Sequence, residues 1–414
     1  MRIKYIVIFL LLNIISGFAV AQTYSIVIKG GHIIDPKNNI DAIMDLAIKD
    51  GKIALVAKNI DEKEGKQVII AKDMYVTPGL IDIHVHVYYG TLNDQALMNG
   101  TTSVAPDAFS FRAGVTTFVD AGCAGWRTFP EFKRLVIDKS QTRVLAFLNI
   151  VGEGMRGGPF EQNIKDMDAH KAADFAKKNS NDVVGIKLAH YIGHEWAPTD
   201  SAATAGRLAD IPVMIDFGGS TPPLSIEELF MKHLRPGDIF THCYAYFPET
   251  REVPVDENGK VKPFIIEAQK RGIIFDVGHG GGSFRWRQAV PAIKQGFLPD
   301  AISSDLHTGS MNNGMKDMAN LMSKFLCMGL SVQDVILRST WNPAKIIKRP
   351  LLGNLSIGTE ADVAVFSVLK GNFGFLDING EKMNGTQKMV AELTIRAGKV
   401  VWDLNGIAVT EFKK

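Results

Sequence analysis

The central part of this chain alternates short apolar runs with stretches patterned as amphipathic helices, and this alternation limits the folds open to it. Such a pattern is typical of repeated β-α units that build a parallel sheet. Eight units over about 270 residues match the size of a closed (β/α)8 TIM barrel, whose chemistry lies at the carboxyl ends of its strands. An open, doubly wound sheet is the alternative, because counting strands does not prove closure. The eight runs span residues 80–86, 115–120, 144–151, 183–189, 212–217, 238–243, 273–277 and 301–305.

Both ends of the chain carry strand-like segments that are rich in turns. Residues 25–29 run into Gly30 and Gly31, and residues 391–397 precede a turn and a further apolar run at residues 400–402. Because the two ends share this texture and the middle does not, we expect them to join in one small β-sandwich domain beside the barrel. The predicted domain limits are 22–78 and 351–414 for the two parts of the β-sandwich and 79–350 for the barrel.

The first 21 residues have the pattern of a secretory signal. Arg2 and Lys4 precede an apolar run over residues 5–15, and residues 19–21 place small side chains where a signal peptidase cleaves. A membrane anchor is the alternative, but the apolar run is short for a hydrocarbon core about 30 Å thick. We therefore expect a mature chain that starts near Gln22 and is periplasmic or secreted, with no membrane attachment after cleavage.

Charge and cysteine content exclude several classes of protein. Loss of Arg2 and Lys4 leaves 44 basic and 44 acidic residues, so the predicted mature chain is formally neutral and offers no surface suited to nucleic acid or anionic membranes. Three widely scattered cysteines, Cys123, Cys243 and Cys327, fit neither a disulfide framework nor a thiolate zinc site. We expect them to be small buried apolar residues.

Two histidines close the first apolar run. His84 and His86 are separated by Val85, so the period of two along a strand points both imidazoles to one face. Two imidazoles on a rigid face suit a borderline divalent ion such as Zn²⁺. Paired histidines also occur as ordinary surface residues, and the position of this pair at the end of the first barrel strand favours the metal site.

These histidines belong to a longer motif with a known counterpart. Residues 76–86 resemble the opening motif of the amidohydrolase superfamily, and three later segments extend the resemblance over nearly all of the predicted mature chain. Within the superfamily the chain is most similar to the dihydroorotase-like amidohydrolases and deacetylases. The resemblance implies a TIM barrel with a split β domain and a metal-dependent hydrolase. The three later segments are residues 303–305, 342–344 and 353–362.

The resemblance implies two divalent metal ions, with zinc the expected element. His84 and His86 correspond to the ligands of the more buried metal, and His242 corresponds to a ligand of the outer one. Lys187 matches the strand-four lysine that becomes carbamylated in this group, which would make it an anionic bridge between the ions. Asp305 matches the strand-eight carboxylate that binds the inner metal and moves protons for a bridging hydroxide. The alternative for Lys187 is a solvated or salt-bridged lysine.

The fifth run departs from the family pattern. Many relatives carry a histidine ligand there, whereas this chain has Asp216. A carboxylate still binds a hard or borderline cation, and the carbamate, Asp216, Asp305 and a hydroxide would balance the charge of two divalent ions. We therefore include Asp216 among the expected metal ligands. A mononuclear site with an unmodified Lys187 is the alternative.

Two further histidines are candidates for substrate contacts. His190 follows the fourth run, and His279 lies in a glycine-rich segment, residues 278–284, after the seventh run. Glycines there let backbone amides approach a substrate oxygen, and His279 could polarise the scissile carbonyl. A supporting or structural role is the alternative for both histidines.

Together these observations predict a secreted metal-dependent amidohydrolase or deacetylase. Its partner would be a small-molecule substrate whose amide, N-acyl or acyl-ester bond is hydrolysed, and self-association into a homo-oligomer stays open. A dihydroorotase-like hydrolase of cyclic amides is the nearest alternative. A catalytically inactive secreted binding protein is the alternative of another class, and the Asp216 departure is the reason to consider it.

Overall fold

The computed structural model describes residues 22–92, 94–216 and 219–412. The predicted signal sequence, residues 1–21, lies outside the described residues, as does Phe217 at the end of the fifth predicted run. None of the helices in the described ranges combines the length and the apolar character needed to cross a bilayer.

The strands of the described ranges fall into two sheets, apart from the short strand Tyr89–Leu92. Strands β1 to β8 span Tyr24–Asp35, Ile40–Lys49, Lys52–Ala57, Gly65–Ile70, Tyr75–Pro78, Leu80–Val85, Tyr89–Leu92 and Val115–Gly125. Strands β9 to β16 span Arg143–Asn149, Val183–Leu188, Val213–Ile215, Ile239–Phe240, Ile274–Phe275, Val363–Leu376, Lys382–Arg396 and Lys399–Asp403.

Helices alternate with the strands of the middle region. Several begin at a side chain that accepts hydrogen bonds from free backbone amides, as Asp168 does for the helix Ala169–Lys178 and Ser331 does for the helix Val332–Ser339. Helices α1 to α6 span Pro106–Phe109, Phe129–Leu135, Gly158–Glu161, Ala169–Lys178, Ala197–Ala209 and Ile226–Glu228. Helices α7 to α12 span Pro263–Arg271, Trp286–Lys294, Thr308–Asn312, Met318–Cys327, Val332–Ser339 and Trp341–Ile346.

The middle region forms a curled parallel sheet. Its seven strands lie in the order β6-β8-β9-β10-β11-β12-β13, and each corresponds to one predicted run. The eighth run is held by isolated parallel bridges instead, from Ala301 to Asp276 and from Leu306 to Val85. This segment therefore connects the last strand to the first, which favours the barrel over the open sheet.

The apolar residues of the barrel strands pack on both sides of the sheet. One cluster draws on strands around the whole cylinder, including Ile83, Phe147 and Met214, and it is continuous with Ala344 of α12. A larger cluster, which includes Val85, lies between the strands and the surrounding helices. Burial on both faces explains why the runs are apolar throughout rather than alternating.

Both ends of the chain join in the second sheet, which has eight strands in the described ranges. Strand β5 pairs antiparallel with β14, with Pro78 opposite Val363. Strand β1 is irregular near Gly31; its first part pairs with β4 and its second part with β5. A Cβ on Gly31 would lie 2.4 Å from Cγ2 of Val76, so this close approach requires glycine. The two ends thus form one mixed sheet with a shared apolar core, which confirms the predicted β-sandwich domain only in part.

The long hairpin of β14 and β15 reaches the barrel. The amide of Ile378, at its turn, donates to the carbonyl of Phe284 over 3.3 Å. The hydroxyl of Ser323 in α10 accepts a hydrogen bond from the amide of Met389 over 2.9 Å. The eight-stranded sheet therefore contacts the glycine-rich segment that follows β13.

Candidate active site

The six residues predicted to bind metal lie together at the carboxyl ends of the barrel strands. Five of them are buried, and the side chain of the sixth, Asp216, is 14% exposed. His84, His242 and Asp305 each offer one ligand atom within 4.8 Å of the others. The six are His84, His86, Lys187, Asp216, His242 and Asp305.

Three residues at strand ends adopt left-handed backbone. The φ angles are 55° at His190, 57° at His242 and 51° at Asp305. A residue other than glycine rarely adopts this region, which costs on the order of 1–3 kcal/mol and is concentrated at functional sites. Asp305 lies in the eighth segment of the barrel, residues 301–306, which pairs through isolated bridges rather than as a continuous strand.

The carboxylate of Asp305 faces both histidines of the first strand. Its Oδ1 atom lies 2.9 Å from Nε2 of His86 and 3.7 Å from Nε2 of His84. Burial alone would raise the pKa of Asp305, but the two histidines outweigh it and hold this pKa well below its usual range. The amide of Asp305 donates to the carbonyl of His84 over 2.7 Å, so the main chain fixes the same contact.

A hydrogen-bond relay orients His84. The hydroxyl of Thr241 donates to Oδ2 of Asp276 over 2.7 Å, so its oxygen accepts from Nδ1 of His84 over 2.9 Å. The proton of the neutral ring is therefore on Nδ1, and Nε2 presents a lone pair toward Asp305 and Lys187. Burial lowers the pKa of His84 to about 3, so the ring is neutral near pH 7.

The side chain of Lys187 ends in the middle of this group. It is fully buried, and its Nζ lies 3.4 Å from Nε2 of His84 and 3.5 Å from Sδ of Met214. Burial lowers the pKa of Lys187, although nearby aspartates oppose the shift. Among the described residues, no carboxylate is within ion-pair distance of Nζ.

Asp216 connects His242 to a buried arginine. Its Oδ2 lies 3.3 Å from Nε2 of His242, and its Oδ1 lies 3.5 Å from Nη1 of Arg251. Nδ1 of His242 donates to the carbonyl of Gly278 over 2.6 Å, which leaves Nε2 facing the carboxylate. Burial alone would raise the pKa of Asp216, but His242 and Lys187 outweigh it and hold this pKa well below its usual value.

The two histidines predicted to contact substrate lie in different surroundings. The side chain of His190 is 47% exposed; its Nδ1 lies 2.6 Å from Glu161 and its Nε2 lies 3.6 Å from Asp216. His279 is fully buried, and its Nδ1 donates to the carbonyl of Gly280 over 2.9 Å. Its Nε2 accepts from Nζ of Lys324 over 2.7 Å, so both ring nitrogens have protein partners.

The glycine-rich segment after β13 packs against the eighth segment. The amides of His279 and Gly280 donate to the carbonyls of Ser303 and Ser304, so two of the amides expected near a substrate oxygen are already engaged. A Cβ on Gly280 would lie 2.3 Å from Oδ2 of Asp305, and φ there is 58°. Glycine at this position therefore keeps room for the Asp305 carboxylate.

Sequence reasoning missed the residues that hold these side chains in place. Thr241 and Asp276 lie within predicted runs, one of them next to His242, so a search for polar residues on neighbouring strands could have found them. Glu161 and Arg251 lie in connections between barrel strands, where no spacing rule links them to the cluster. The contacts of Glu161 and Arg251 with the clustered residues are therefore evident only from the structure.

The donor set fits divalent metal ions. Imidazole nitrogens and carboxylate oxygens are the ligands of Zn²⁺ and similar borderline ions. Because Nδ1 of His242 donates to Gly278, its Nε2 and the anionic oxygen of Asp216 face each other, and a cation can take the place of a proton between them. The His84 relay through Thr241 and Asp276 is the supporting arrangement that commonly orients metal-binding histidines.

Comparison with known proteins identifies the family. The profile of the amidohydrolase family matches residues 285–401. A deacetylase of Brucella anthropi is 33% identical over 360 residues, which cover 82% of this chain and 83% of that protein. The chain belongs to the amidohydrolase family. The crystal structure of an adenine deaminase matches this amidohydrolase with a TM-score of 0.82 and 28% identity, covering 92% of this chain and 100% of that chain. A dihydroorotase structure matches with a TM-score of 0.79 and 28% identity, covering 91% and 99%.

Membership confirms the resemblance seen in the opening motif, and the structural neighbours match the predicted α/β fold. This amidohydrolase is accordingly a hydrolase that acts on carbon-nitrogen bonds. The family also implies a divalent metal site, and a cluster of two histidines and one aspartate is present for it. That cluster consists of His84, His242 and Asp305.

Proposed function

We propose that this amidohydrolase removes an acyl group from a small N-acyl compound after export from the cytoplasm. The single observation that carries the proposal is the convergence of Asp305 on His84 and His86, at 3.7 and 2.9 Å, in a chain that is 33% identical to a deacetylase of Brucella anthropi. The N-terminal pattern of residues 1–21 supports export. The neutral charge of the predicted mature chain supports a small-molecule partner rather than nucleic acid.

We assign the metal-binding role to the six clustered residues. His84, His86 and Asp305 would hold the inner ion, and Asp216 and His242 the outer one, with Lys187 between them. Zinc suits this mixture of nitrogen and oxygen donors. Two divalent ions bound there would supply positive charge that acidifies a water molecule and polarises the substrate carbonyl.

Lys187 fits this arrangement best as a carbamate. Its ammonium would lose one proton, the free amine would form a bond from Nζ to the carbon of CO₂, and Nζ would lose a second proton. This change turns a cationic group into an anionic carboxylate-like one. The buried position of Nζ supports this change, because an ammonium is costly to bury and its hydrogen-bond partners in the described ranges, His84 and Met214, carry no negative charge. A carbamate has two oxygens and could bridge two ions.

Asp305 is the residue placed to move the proton. Its carboxylate is ionised, since the histidines hold its pKa well below the usual range. It would accept a proton from the water whose oxygen bonds to the carbonyl carbon. It would then pass that proton to the nitrogen as the carbon-nitrogen bond breaks. Gly280 keeps Oδ2 of Asp305 uncrowded for this transfer.

A substrate panel tests the proposal. Purified protein from residue 22 onward, reconstituted with zinc, should release amine and carboxylate from at least one N-acyl amino acid or N-acyl amino sugar, and Asp305→Asn should not. Cyclic amides belong in the panel because a dihydroorotase structure matches 91% of the chain, and acyl esters test the wider bond class. Preferred ring opening would move the function to the cyclic-amide class. Zinc-loaded protein that hydrolyses none of these would favour the binding protein.

A further inference from the structure

One carboxylate oxygen at the end of the fifth barrel strand, β11, faces two imidazoles. Oδ2 of Asp216 lies 3.3 Å from Nε2 of His242 and 3.6 Å from Nε2 of His190. His242 follows β12, whereas His190 lies in the connection after β10, so the two rings approach Asp216 from neighbouring strands on either side. Sequence reasoning placed His190 only among substrate contacts.

Both rings are oriented so that Nε2 points at this oxygen. Nδ1 of His242 donates to the carbonyl of Gly278 over 2.6 Å, and Nδ1 of His190 lies 2.6 Å from Oε2 of Glu161. Carbonyl and carboxylate oxygens accept hydrogen bonds, so Nδ1 is the protonated nitrogen in each neutral ring. A histidine that binds metal commonly donates its second nitrogen to such a carbonyl or carboxylate.

Glu161 has the features of a supporting residue. Its residue surface is 3% exposed, although it is an acid at the end of the short helix α3. Its hydrogen bond to His190 is the contact that explains this burial. The backbone of His190 is also anchored, because its carbonyl accepts from Nε2 of Gln162 over 2.8 Å. The ring is thus held from two sides despite being partly exposed.

The other oxygen of Asp216 is already engaged. Nη1 of Arg251 lies 3.5 Å from Oδ1, while Nη2 donates to the carbonyl of Thr241 over 2.6 Å. The guanidinium also stacks on Phe240, 4.7 Å from the ring centre. Arg251 therefore fixes the carboxylate plane and leaves Oδ2 directed at the two imidazoles.

We propose that His190, Asp216 and His242 together bind the outer divalent ion, with His190 supplying the imidazole that strand five of this chain lacks. The inference rests on the proposed function as a metal-dependent hydrolase. Two imidazoles and one carboxylate form a ligand set suited to zinc and leave a fourth position open for the Lys187 carbamate or a water molecule. Glu161 is then a positioning residue that orients His190 through Nδ1.

Metal content tests the proposal without reference to activity. Apoprotein is incubated with excess Zn²⁺, dialysed and assayed by elemental analysis, and Co²⁺-loaded protein is followed by its visible absorption. We expect two ions per chain for the wild type and one for His190→Ala. His194→Ala is the matched control, since this histidine lies four positions along the same connection and donates to the carbonyl of Pro222. It should keep two ions.

Glu161→Gln provides a second variant that retains His190. We expect the affinity for the outer ion to fall by about 10- to 100-fold, because the orienting carboxylate is lost. This variant also keeps the test decisive if His190→Ala fails to fold, which near-ultraviolet circular dichroism would show.

The outcomes separate this inference from the proposed function. Two tightly bound ions in both His190→Ala and Glu161→Gln would overturn the assignment of His190 and leave the metal-dependent function standing. One ion per chain in the wild type and in His190→Ala would also overturn it. A wild-type protein that binds no Zn²⁺ or Co²⁺ would overturn both proposals.

Discussion

The Nζ atom of Lys187 lies 3.4 Å from Nε2 of His84, so an ammonium there would repel a divalent ion bound by that imidazole. We predict that Lys187→Ala loses about 100-fold or more in kcat, in the range of a missing catalytic group. Short carboxylic acids should restore part of the activity by occupying the place of the carbamate. Full activity of the variant in buffer freed of carboxylates and CO₂ would contradict the carbamate.

Asp305 should be needed for chemistry rather than for folding. We predict that Asp305→Asn lowers kcat by about 10²- to 10⁴-fold, because the amide cannot accept the proton from water. The variant should retain the circular dichroism spectrum and thermal unfolding midpoint of the wild type to within a few degrees. His84→Ala should likewise abolish hydrolysis in a folded protein. Wild-type rates in either variant would refute the assigned roles.

The relay behind His84 offers a conservative test. Thr241→Val removes the hydroxyl that accepts from Nδ1 of His84 and donates to Asp276, whereas Thr241→Ser keeps it. We predict about 10- to 100-fold weaker zinc binding for the valine variant and near wild-type binding for the serine variant. Competition with a chromophoric chelator measures both affinities. Equal affinities in the two variants would show that the hydroxyl does not position His84.

A buried lysine beneath the glycine-rich segment should make stability depend on pH. Lys324 donates to His279 and to the carbonyls of Gly314 and Leu376, each over 2.7 Å, and burial lowers its pKa to about 7. Charged groups around it are Lys316, which adds to the shift, and Asp377 and Asp317, which oppose it. Lysine in the unfolded chain keeps its proton up to a pH of about 10.4.

Between these two pKa values the unfolded state binds more protons, so the Lys324 contribution to the free energy of unfolding rises with pH above about 7 and is complete near 10. Below pH 7 the protonated lysine carries the full cost of burial. Lys324→Met should therefore show a shallower rise than the wild type in urea unfolding at pH 7 and pH 9.5. Parallel pH profiles of the two proteins would contradict this prediction.

The barrel was predictable because burial on both faces leaves an unbroken apolar signal. Seven of the predicted runs became strands of the parallel sheet. The run at residues 301–305 was located correctly, but it pairs through isolated bridges rather than as a continuous strand, and Asp305 takes a left-handed conformation that no propensity indicates. The two chain ends were joined correctly, yet the bend at Gly31 that makes one sheet of them depends on a tertiary contact with Val76.

The candidate site was predictable where residues end strands and not where they lie in connections. His84, His242 and Asp305 follow from strand position and family likeness, and the structure brings them together. The burial of His279 by Lys324 arises from a helix and a hairpin distant in sequence. Glu161 reaches His190 across 29 positions, and a single sequence does not reveal such a pair.

The pairing of the first barrel strand with the eighth segment affects both the fold and the candidate site. The backbone hydrogen bond from the amide of Asp305 to the carbonyl of His84 helps to close the barrel. It also places the Asp305 carboxylate beside the imidazoles. The same pairing thus closes the barrel and positions Asp305. If this pairing opened locally, Asp305 would move away from the histidines before the rest of the barrel unfolded. Proteolytic cleavage or new termini between the first strand and residues 301–306 should abolish activity. We expect the same cuts on the opposite side of the barrel to be tolerated.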